Sequence, residues 1–203
     1  MRTTREQTEA NRTRILTAAA RLFRERGFEG VAVSDLMSAA GFTHGGFYNH
    51  FTSKEALAEE ACAHAFRGAN DGLEAALETG DRAAFGQYVE EYLAPRHRDD
   101  PGSGCTLGAL AADARRQGGA VQARFAESVE RVIAILAAYL EKTGVGAPDG
   151  GGGGGGGAKA ARARAIQLWS EIIGALVLAR AVASVDPTLS NEILASNRQK
   201  LLR

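Results

Sequence analysis

The residues best suited to recognition chemistry lie close together, between positions 43 and 54. The Asn49 amide can form two hydrogen bonds with the edge of an adenine. Most of the others carry groups that bond or pair with phosphates, or are glycines that keep the backbone slim enough to enter a DNA groove. The predicted DNA contacts in this segment are Thr43, His44, Gly45, Gly46, Tyr48, Asn49, His50 and Lys54.

The aromatic residues of this segment also allow a purely structural interpretation. By spacing alone, Phe47 and Phe51 are expected to be core side chains. Tyr48 is offset from them, so both a core and an exposed position stay open. His50 fits a half-buried, hydrogen-bonded histidine as well as it fits a phosphate contact.

Other chemistry-bearing residues do not form a catalytic or metal-binding pattern. Cys62 and Cys105 are widely separated, which excludes a disulfide framework and a zinc ribbon. The histidines have no serine, cysteine or carboxylate pair at a catalytic spacing, so we expect neither an enzyme nor a cofactor. His97, Asp99 and Asp100 are able to ligate a metal, but a solvated loop is the preferred interpretation and no metal is predicted.

A glycine run occupies positions 150–157 and resembles a phosphate-binding loop only superficially. No Gly-Lys-Ser/Thr ending follows it, since the next residues are Ala158, Lys159 and Ala160, and no hydrophobic strand precedes it. Because a glycine run does not sustain a helix, the prediction here is a mobile loop.

The composition favours a soluble helical protein. The chain is rich in alanine, 6% of its residues are aromatic, and its formal net charge is zero, so bulk charge does not point to nucleic acid. No apolar stretch near Met1 predicts a signal peptide. The most apolar run, residues 172–179, is too short to span a bilayer, so we expect a cytoplasmic protein without a membrane partner.

Hydrophobic periodicity in the first third of the chain predicts a helix-turn-helix. Apolar residues at helical spacing define a helix over residues 6–26, followed by short helices over 34–40 and 44–51. Ser53 is expected to cap a long fourth helix that runs towards Glu78. Two short helices joined by a tight turn and packed on a longer one form the geometry of a DNA-reading unit.

The remainder of the chain predicts further helices, about nine in all. The next helix carries Phe85 and Leu93 and is stopped by Pro95, and residues 97–104 form a polar loop. The other predicted helices cover residues 106–117, a strong apolar stripe over 121–140, residues 159–185 and residues 191–202. The expected fold class is all-α.

The residues of the N-terminal third closely resemble the DNA-binding domain of TetR-family transcriptional regulators. The matching elements are Ile15-Leu16-x-Ala18-Ala19-x-x-Leu22-Phe23, Gly27-Phe28, Ala39-Ala40-Gly41 and Thr43-x-Gly45-Gly46-Phe47-Tyr48-Asn49-His50-Phe51-x-Ser53-Lys54-Glu55-Ala56-Leu57. The resemblance implies a helix-turn-helix domain over residues 1–58 and a C-terminal ligand-binding and dimerisation domain over residues 59–203. It implies a homodimer that binds double-stranded operator DNA, usually as a repressor, and is released by a small-molecule effector.

The resemblance also implies which residues face DNA, and it has one departure. The family contacts map onto His44, Gly45, Gly46, Tyr48, Asn49, His50 and Lys54, with Arg2 and Arg5 as a weaker N-terminal arm. The family commonly opens the second helix with Ser or Thr, whereas this chain has Val31-Ala32-Val33. Either Ser34 takes over the cap or that contact is missing.

Residues 166–182 are predicted to form the dimer interface because they are more apolar than one core-facing stripe requires. Gly174, Ala175 and Ala179 would permit close approach of a second helix. A fully buried helix within one protomer is the alternative. The resemblance implies that the last two long helices pair with their twins in the dimer, and the predicted interface residues are Ile166, Ile173, Leu176, Val177, Arg180 and Leu194.

The resemblance places an effector pocket between the middle helices of the C-terminal domain. Its apolar majority favours a hydrophobic or aromatic effector, although each residue also fits plain core. The predicted pocket residues are Tyr88, Tyr92, Cys105, Leu107, Leu110, Phe125, Val129 and Trp169.

Cys105 supports an alternative mode of regulation. It lies in Gly104-Cys105-Thr106-Leu107-Gly108 at the expected start of a helix, where the helix dipole favours a thiolate. A redox- or electrophile-sensing regulator is therefore the alternative to small-ligand induction. Against it, cysteine is commonly a small buried core residue.

Overall fold

The computed structural model describes residues 5–144 and 156–202, and this part of the chain contains helices and no strand. The fold is all-α, as predicted. The elements are α1 (Arg5–Arg26), α2 (Val33–Ala39), the 3₁₀ helix η1 (His44–Asn49), α3 (Lys54–Leu77), α4 (Arg82–Tyr92), α5 (Pro95–Asp99), α6 (Thr106–Ala114), α7 (Gly119–Thr143), α8 (Gly156–Val182) and α9 (Pro187–Leu201).

Pro95 and Pro187 each begin a helix. Pro95, predicted to stop the preceding helix, opens α5, which runs into the segment predicted as a polar loop, and Pro187 opens α9 four residues ahead of the predicted Asn191. Proline suits the first helical position because its fixed φ is helical and its missing N–H would have no partner there. At α9 the Asp186 carboxylate caps the helix by accepting a hydrogen bond from the Leu189 N–H at 2.9 Å.

The start of α2 shows how this helix begins without the Ser or Thr that the family commonly has there. Ala32 occupies the cap position and has no side chain to accept a hydrogen bond. Ser34 lies inside the helix, so of the two alternatives the Ser34 cap is excluded. Asp35 instead accepts a hydrogen bond from the Ala32 N–H at 3.2 Å, which supplies half of a capping box.

The third predicted helix is a 3₁₀ helix and ends earlier than expected. Gly46 N–H donates to the Thr43 carbonyl at 3.1 Å and His50 N–H to the Phe47 carbonyl at 2.9 Å, both across three residues. Gly45 and Gly46 are poor α-helix formers, which favours the shorter, tighter helix.

The described chain divides into two compact units. Unit 1 comprises Met1–Gly68 and Pro101–Ala126, and unit 2 comprises Ala69–Asp100 and Glu127–Arg203. The helix-turn-helix elements therefore share a unit with α6.

Unit 1 has a core built from the apolar stripe of α1 and the inner faces of α2 and η1. Ile15, Phe23, Leu36 and Phe47 are fully or almost fully buried, and the rings of Phe23 and Phe28 lie 5.2 Å apart. The prediction of an amphipathic first helix followed by two short packed helices is confirmed.

Unit 2 has an aromatic and aliphatic core with a buried polar link between α8 and α9. Phe85 stacks on Tyr139 at 5.4 Å, and Ile172 is fully buried. The buried Ser190 hydroxyl donates to the Ala179 carbonyl at 2.8 Å and so ties α9 to α8. Helix α8 packs along α9 and also contacts α5.

Helix α8 is more apolar over its length than the sequence interpretation allowed. Residues Gly157–Val182 are long and apolar enough to cross a membrane by length and composition alone, with a mean hydropathy of 1.5 in the most apolar window. The run of residues 172–179, taken alone too short to span a bilayer, is thus part of a longer apolar helix. The same composition also suits a core helix, and α8 buries Leu168, Ile172 and Leu176 within unit 2.

Two predictions fall wholly or partly outside the described residues. Arg2 and positions 150–155 of the glycine run lie outside them. Gly156 and Gly157 belong to α8, so for these two glycines the predicted loop is wrong.

Candidate nucleic-acid interface

Helix η1 is anchored to unit 1 by its apolar side. The side chains of Phe47 and Phe51 are buried, and their rings lie 5.8 Å apart. The expectation that both are core residues is confirmed. With these two rings fixed, the opposite side of the same short helix is held towards solvent.

The solvent-facing side of η1 carries most of the predicted contacts. Tyr48 is 73% exposed, and its ring packs edge-on against Phe47 at 5.2 Å, so the tyrosine is held on the surface and is not a core residue. We call the exposed set the reading surface. It consists of Thr43, His44, Gly45, Tyr48 and Asn49.

The two glycines of η1 are not required by packing inside the protein. A Cβ added at Gly45 would meet nothing within 4 Å, and one at Gly46 would meet the Met37 Cε at 3.7 Å, an ordinary contact. Neither glycine has a positive φ. The fold therefore tolerates a side chain at Gly45, and a requirement for glycine there would have to come from a bound partner.

His50 and Lys54 are half-buried and flank the reading surface. The His50 ring lies 6.2 Å from the Phe42 ring and 6.3 Å from the Phe51 ring. Lys54 is the first residue of α3, and the predicted cap is confirmed because the Ser53 Oγ accepts a hydrogen bond from the Ala56 N–H at 3.1 Å. Hydrogen bonds from its own backbone N–H and from Ser53 lower the pKa of Glu55, which keeps this first turn of α3 anionic at Glu55.

Two arginines of α1 hold the segment on both sides of the reading surface. The Arg14 guanidinium donates to the Ala40 carbonyl at 3.0 Å, at the end of α2, and lies 5.0 Å from the centroid of the Phe42 ring. The Arg12 guanidinium donates to the His50 carbonyl, at the end of η1. Sequence reasoning missed both, because their partners lie 26 and 38 residues further along the chain and no local pattern joins them.

The predicted pocket residues do not outline one cavity in the described part of the chain. In unit 2, Tyr88 and Trp169 each lie beside Tyr92, with ring centroids 5.6 Å and 5.4 Å away. Val129, also in unit 2, is 36% exposed. The members in unit 1 are Cys105, Leu107, Leu110 and Phe125.

Three of the unit 1 members lie in the core of that unit. Leu107 and Leu110 are buried on α6, and Phe125 packs edge-on against Phe66 at 4.9 Å. The three surface grooves that we describe, of about 780, 670 and 530 Å³, are lined by other residues. The pocket therefore stays a prediction.

The predicted dimer residues divide between core and surface. Leu176 and Leu194 are fully buried within unit 2, so they have no surface left for a second protomer and the prediction for these two is corrected. Ile166 and Val177 are each 42% exposed, and Ile173 is half-buried. Leu178, which the prediction omitted, is 59% exposed.

Arg180 has a role inside unit 2. Its guanidinium donates to the His97 carbonyl at 2.8 Å and to the Arg98 carbonyl at 3.1 Å, which attaches α5 to α8. Asp99, one of the three metal ligands considered above, pairs with Arg98 at 2.7 Å. Residues 97–99 therefore have structural contacts within unit 2.

The two cysteines have different environments. Cys62 is buried in unit 1, and burial raises the pKa of its thiol to about 12, so it stays protonated at neutral pH. Cys105 is half-buried at the cap position of α6, and its sulfur accepts a hydrogen bond from the Gly108 N–H at 3.5 Å. The predicted position of Cys105 at a helix start is confirmed.

Comparisons with known proteins agree with this geometry. A family model described as "Bacterial regulatory proteins, tetR family" matches residues 15–61. The transcriptional repressor DhaR of Mycobacterium sp. strain GP1 is 31% identical over 97 residues, 48% of each chain. The transcriptional repressor KstR2 of Rhodococcus jostii is 47% identical over 49 residues, 24% of each chain.

Solved structures extend the likeness to the whole fold. Reduced NemR of Escherichia coli superposes with a TM-score of 0.76 at 23% identity, covering 95% of both chains. A TetR-family regulator from Cytophaga hutchinsonii gives a TM-score of 0.75 at 20% identity, covering 97% of this chain and 94% of its own.

Residues 15–61 match the DNA-binding domain of the TetR family, which supports a TetR-family regulator. Its sequence likeness to the curated relatives spans about half the length of DhaR and about a quarter of KstR2, and it lies in the region of the helix-turn-helix. At these identities the structural likeness over the rest of the chain shows the TetR-like fold alone.

Proposed function

We propose that this chain is a DNA-binding transcriptional regulator that acts as a homodimeric repressor in the cytoplasm. The observation that carries the proposal is the reading surface on η1. Its polar side chains and Gly45 face solvent, while Phe47 and Phe51 fix the helix from behind. The relatives named above are transcriptional repressors, which supports regulation over an enzymatic role.

On DNA, the reading surface would enter the major groove. Asn49 is the residue suited to a base edge, because its amide can pair with adenine. Tyr48, His50 and Lys54 would contact phosphates and fix the register, and Thr43 or His44 would reach a base or a phosphate. Gly45 and Gly46 would let the backbone approach the groove closely.

Two reading surfaces are needed to recognise a palindromic site, with centres about 34–36 Å apart. We propose that the outer face of α8 supplies the dimer contact, since Ile166, Val177 and Leu178 expose apolar surface on one long helix. Exposed apolar patches of this kind are typical of protein interfaces. Ile173, half-buried on the same helix, would complete the contact.

A small, largely apolar effector is the proposed signal. The aromatic cluster of Tyr88, Tyr92 and Trp169 in unit 2 is the part of the predicted pocket best suited to such a molecule. The effector would release the operator only to the extent that it binds the non-DNA-binding conformation more tightly. Effector and operator should therefore stabilise the protein less than additively.

The test begins with selection of a duplex from a random-sequence library by the full-length protein. Fluorescence anisotropy then compares the selected duplex with a scrambled one across a range of salt concentrations. We expect tight, steeply salt-dependent binding and a clear preference for the selected duplex. Failure of the library to enrich any sequence would contradict the proposal.

Tyr48 variants separate the reading surface from a general effect on folding. Tyr48→Ala removes both ring and hydroxyl from a side chain that is 73% exposed, so the thermal midpoint should change little. Tyr48→Phe removes the hydroxyl alone. If the hydroxyl contacts a phosphate, both variants should lose affinity for selected and scrambled duplexes alike.

Thiol sensing through Cys105 is the second candidate. It is supported by the partial exposure of this cysteine at the start of α6, in contrast to the buried Cys62. Cys105→Ser should abolish a response of DNA binding to peroxide or to an electrophile, whereas Cys62→Ser should retain it. An oxidant response that survives in Cys105→Ser would rule out this mode of regulation.

A further inference from the structure

One arginine of α1 joins three elements of unit 1 at the end of the reading helix. The Arg12 guanidinium donates to the His50 carbonyl and lies 4.4 Å from the centroid of the Phe51 ring. Its Nη2 also lies 2.6 and 2.5 Å from the two carboxylate oxygens of Glu60 on α3. We infer that Arg12, held by Glu60, is a positioning residue that sets the orientation of the reading surface for DNA. This inference rests on the proposed DNA-binding function.

The three contacts of Arg12 require a guanidinium. Its planar set of N–H donors can serve a carboxylate and a carbonyl at once while one face lies on an aromatic ring. His50 is the C-cap of η1, where carbonyls have lost their partners within the helix. Arg12 therefore satisfies the end of the helix that carries Tyr48 and Asn49.

A continuous row of side chains extends this contact across the segment. Arg14 lies over Phe42, the Phe42 ring is 6.2 Å from His50, His50 is 6.3 Å from Phe51, and Phe51 lies under Arg12. Both ends of the row are arginines of α1. Loss of Arg12 or of its orientation would free one end of the row and let the reading surface rotate. Hydrogen bonds to base edges lose strength steeply with misalignment.

A direct phosphate contact is the competing role for Arg12, and Glu60 distinguishes the two. If Arg12 binds phosphate, Glu60→Gln releases the arginine for DNA and removes a repulsive charge, so affinity rises. If Arg12 is a positioning residue, the same substitution loosens its hold on His50 and affinity for the selected duplex falls.

The neighbouring Glu59 provides a matched control. Glu59 accepts hydrogen bonds from the Nε and Nη2 of Arg124, at 3.1 and 3.0 Å. Glu59→Gln changes the net charge by the same amount, one residue away on the same helix. The difference between the two variants isolates the link to Arg12 from long-range electrostatics.

The experiment measures affinity for the selected and the scrambled duplex, with the salt slope, for the full-length protein and for Glu60→Gln, Glu59→Gln, Arg12→Gln and Arg12→Lys. We expect Glu60→Gln and Arg12→Gln to lose on the order of tenfold in affinity for the selected duplex. Affinity for the scrambled duplex and the salt slope should stay near those of the unsubstituted protein. Arg12→Lys should recover part of the loss, and Glu59→Gln should bind at least as well as the unsubstituted protein.

Other outcomes overturn the inference in distinguishable ways. Tighter binding by Glu60→Gln, with a salt slope reduced by about 0.9 in Arg12→Gln, would make Arg12 a phosphate contact. Equal binding by Glu60→Gln and Glu59→Gln would show that the Arg12–Glu60 pair does not position the reading surface. Failure of the unsubstituted protein to select any duplex would refute the proposed function, and this inference with it.

Discussion

Gly45→Ala separates the demands of the fold from those of DNA. The added Cβ would meet no atom within 4 Å, and φ at Gly45 is not positive, so the folded state accommodates alanine without strain. Alanine also loses less conformational entropy than glycine on folding, which should stabilise the protein by about 0.4–1 kcal/mol. For a chain of this size that corresponds to a rise of roughly 1–4 °C in the thermal midpoint.

The same methyl group should damage DNA binding, because Gly45 is exposed at the start of the reading helix. A methyl that holds the backbone away from the groove would lengthen several neighbouring hydrogen bonds at once, and each good base contact is worth about 1–3 kcal/mol. We therefore expect affinity for the selected duplex to fall by on the order of tenfold or more. The assay is fluorescence anisotropy on the selected duplex, with a thermal melt of the same sample.

Gly68→Ala provides the control. Gly68 is also exposed in a helix, and a Cβ there would meet nothing within 4 Å. It should stabilise the protein comparably while leaving DNA affinity unchanged. If Gly45→Ala is stabilised and binds DNA as tightly as Gly68→Ala does, the backbone at Gly45 does not approach DNA closely and the proposed docking is wrong.

Three further predictions concern unit 2. Burial lowers the pKa of His97 below its ordinary value of 6.5, so the unfolded state binds the proton more readily than the folded state does. The free energy of unfolding should therefore be full above about pH 6.5 and decline as the pH falls below it. Thermal melts of His97→Gln should lack this part of the decline. Leu176→Ala should cost about 2–5 kcal/mol of unfolding free energy in urea melts, because Leu176 is fully buried. Val177→Asp should leave the protomer fold intact and increase the monomer fraction in sedimentation. A dimer fraction unchanged by Val177→Asp would contradict the proposed interface. Asp186→Ala should cost about 1 kcal/mol in the same melts through loss of the α9 cap, and no loss would mean that the cap is replaced.

The sequence predicted unit 1 well where local rules apply. The apolar stripe of α1, the cap at Ser53 and the burial of Phe47 and Phe51 all follow from spacing over a few residues, and the structure has each of them. The same reasoning left both a core and an exposed position open for Tyr48. Only its packing against Phe47 decides the matter, and that contact depends on the 3₁₀ geometry of η1.

The sequence did not predict features that depend on contacts between distant residues. Arg12 and Arg14 lie off the apolar stripe of α1. Their carbonyl partners are His50 and Ala40, which lie 38 and 26 residues further along the chain. The sequence interpretation began the last helix at Asn191 and left Asp186 and Pro187 outside it. In the structure Asp186 is the N-cap of α9 and Pro187 is its first residue.

Helix α8 shows why composition alone could not assign the dimer interface. Its periodicity is weak because apolar residues lie on more than one side, which is consistent with a buried helix, a membrane span or an interface helix. Burial separates these roles residue by residue, since Ile172 and Leu176 face the core of unit 2 while Val177 and Leu178 are exposed. The adjacent pair Leu176 and Val177 therefore face different environments. The proposed interface on the exposed side would explain why α8 carries more apolar residues than its own core needs, and Val177→Asp tests that explanation without disturbing the core.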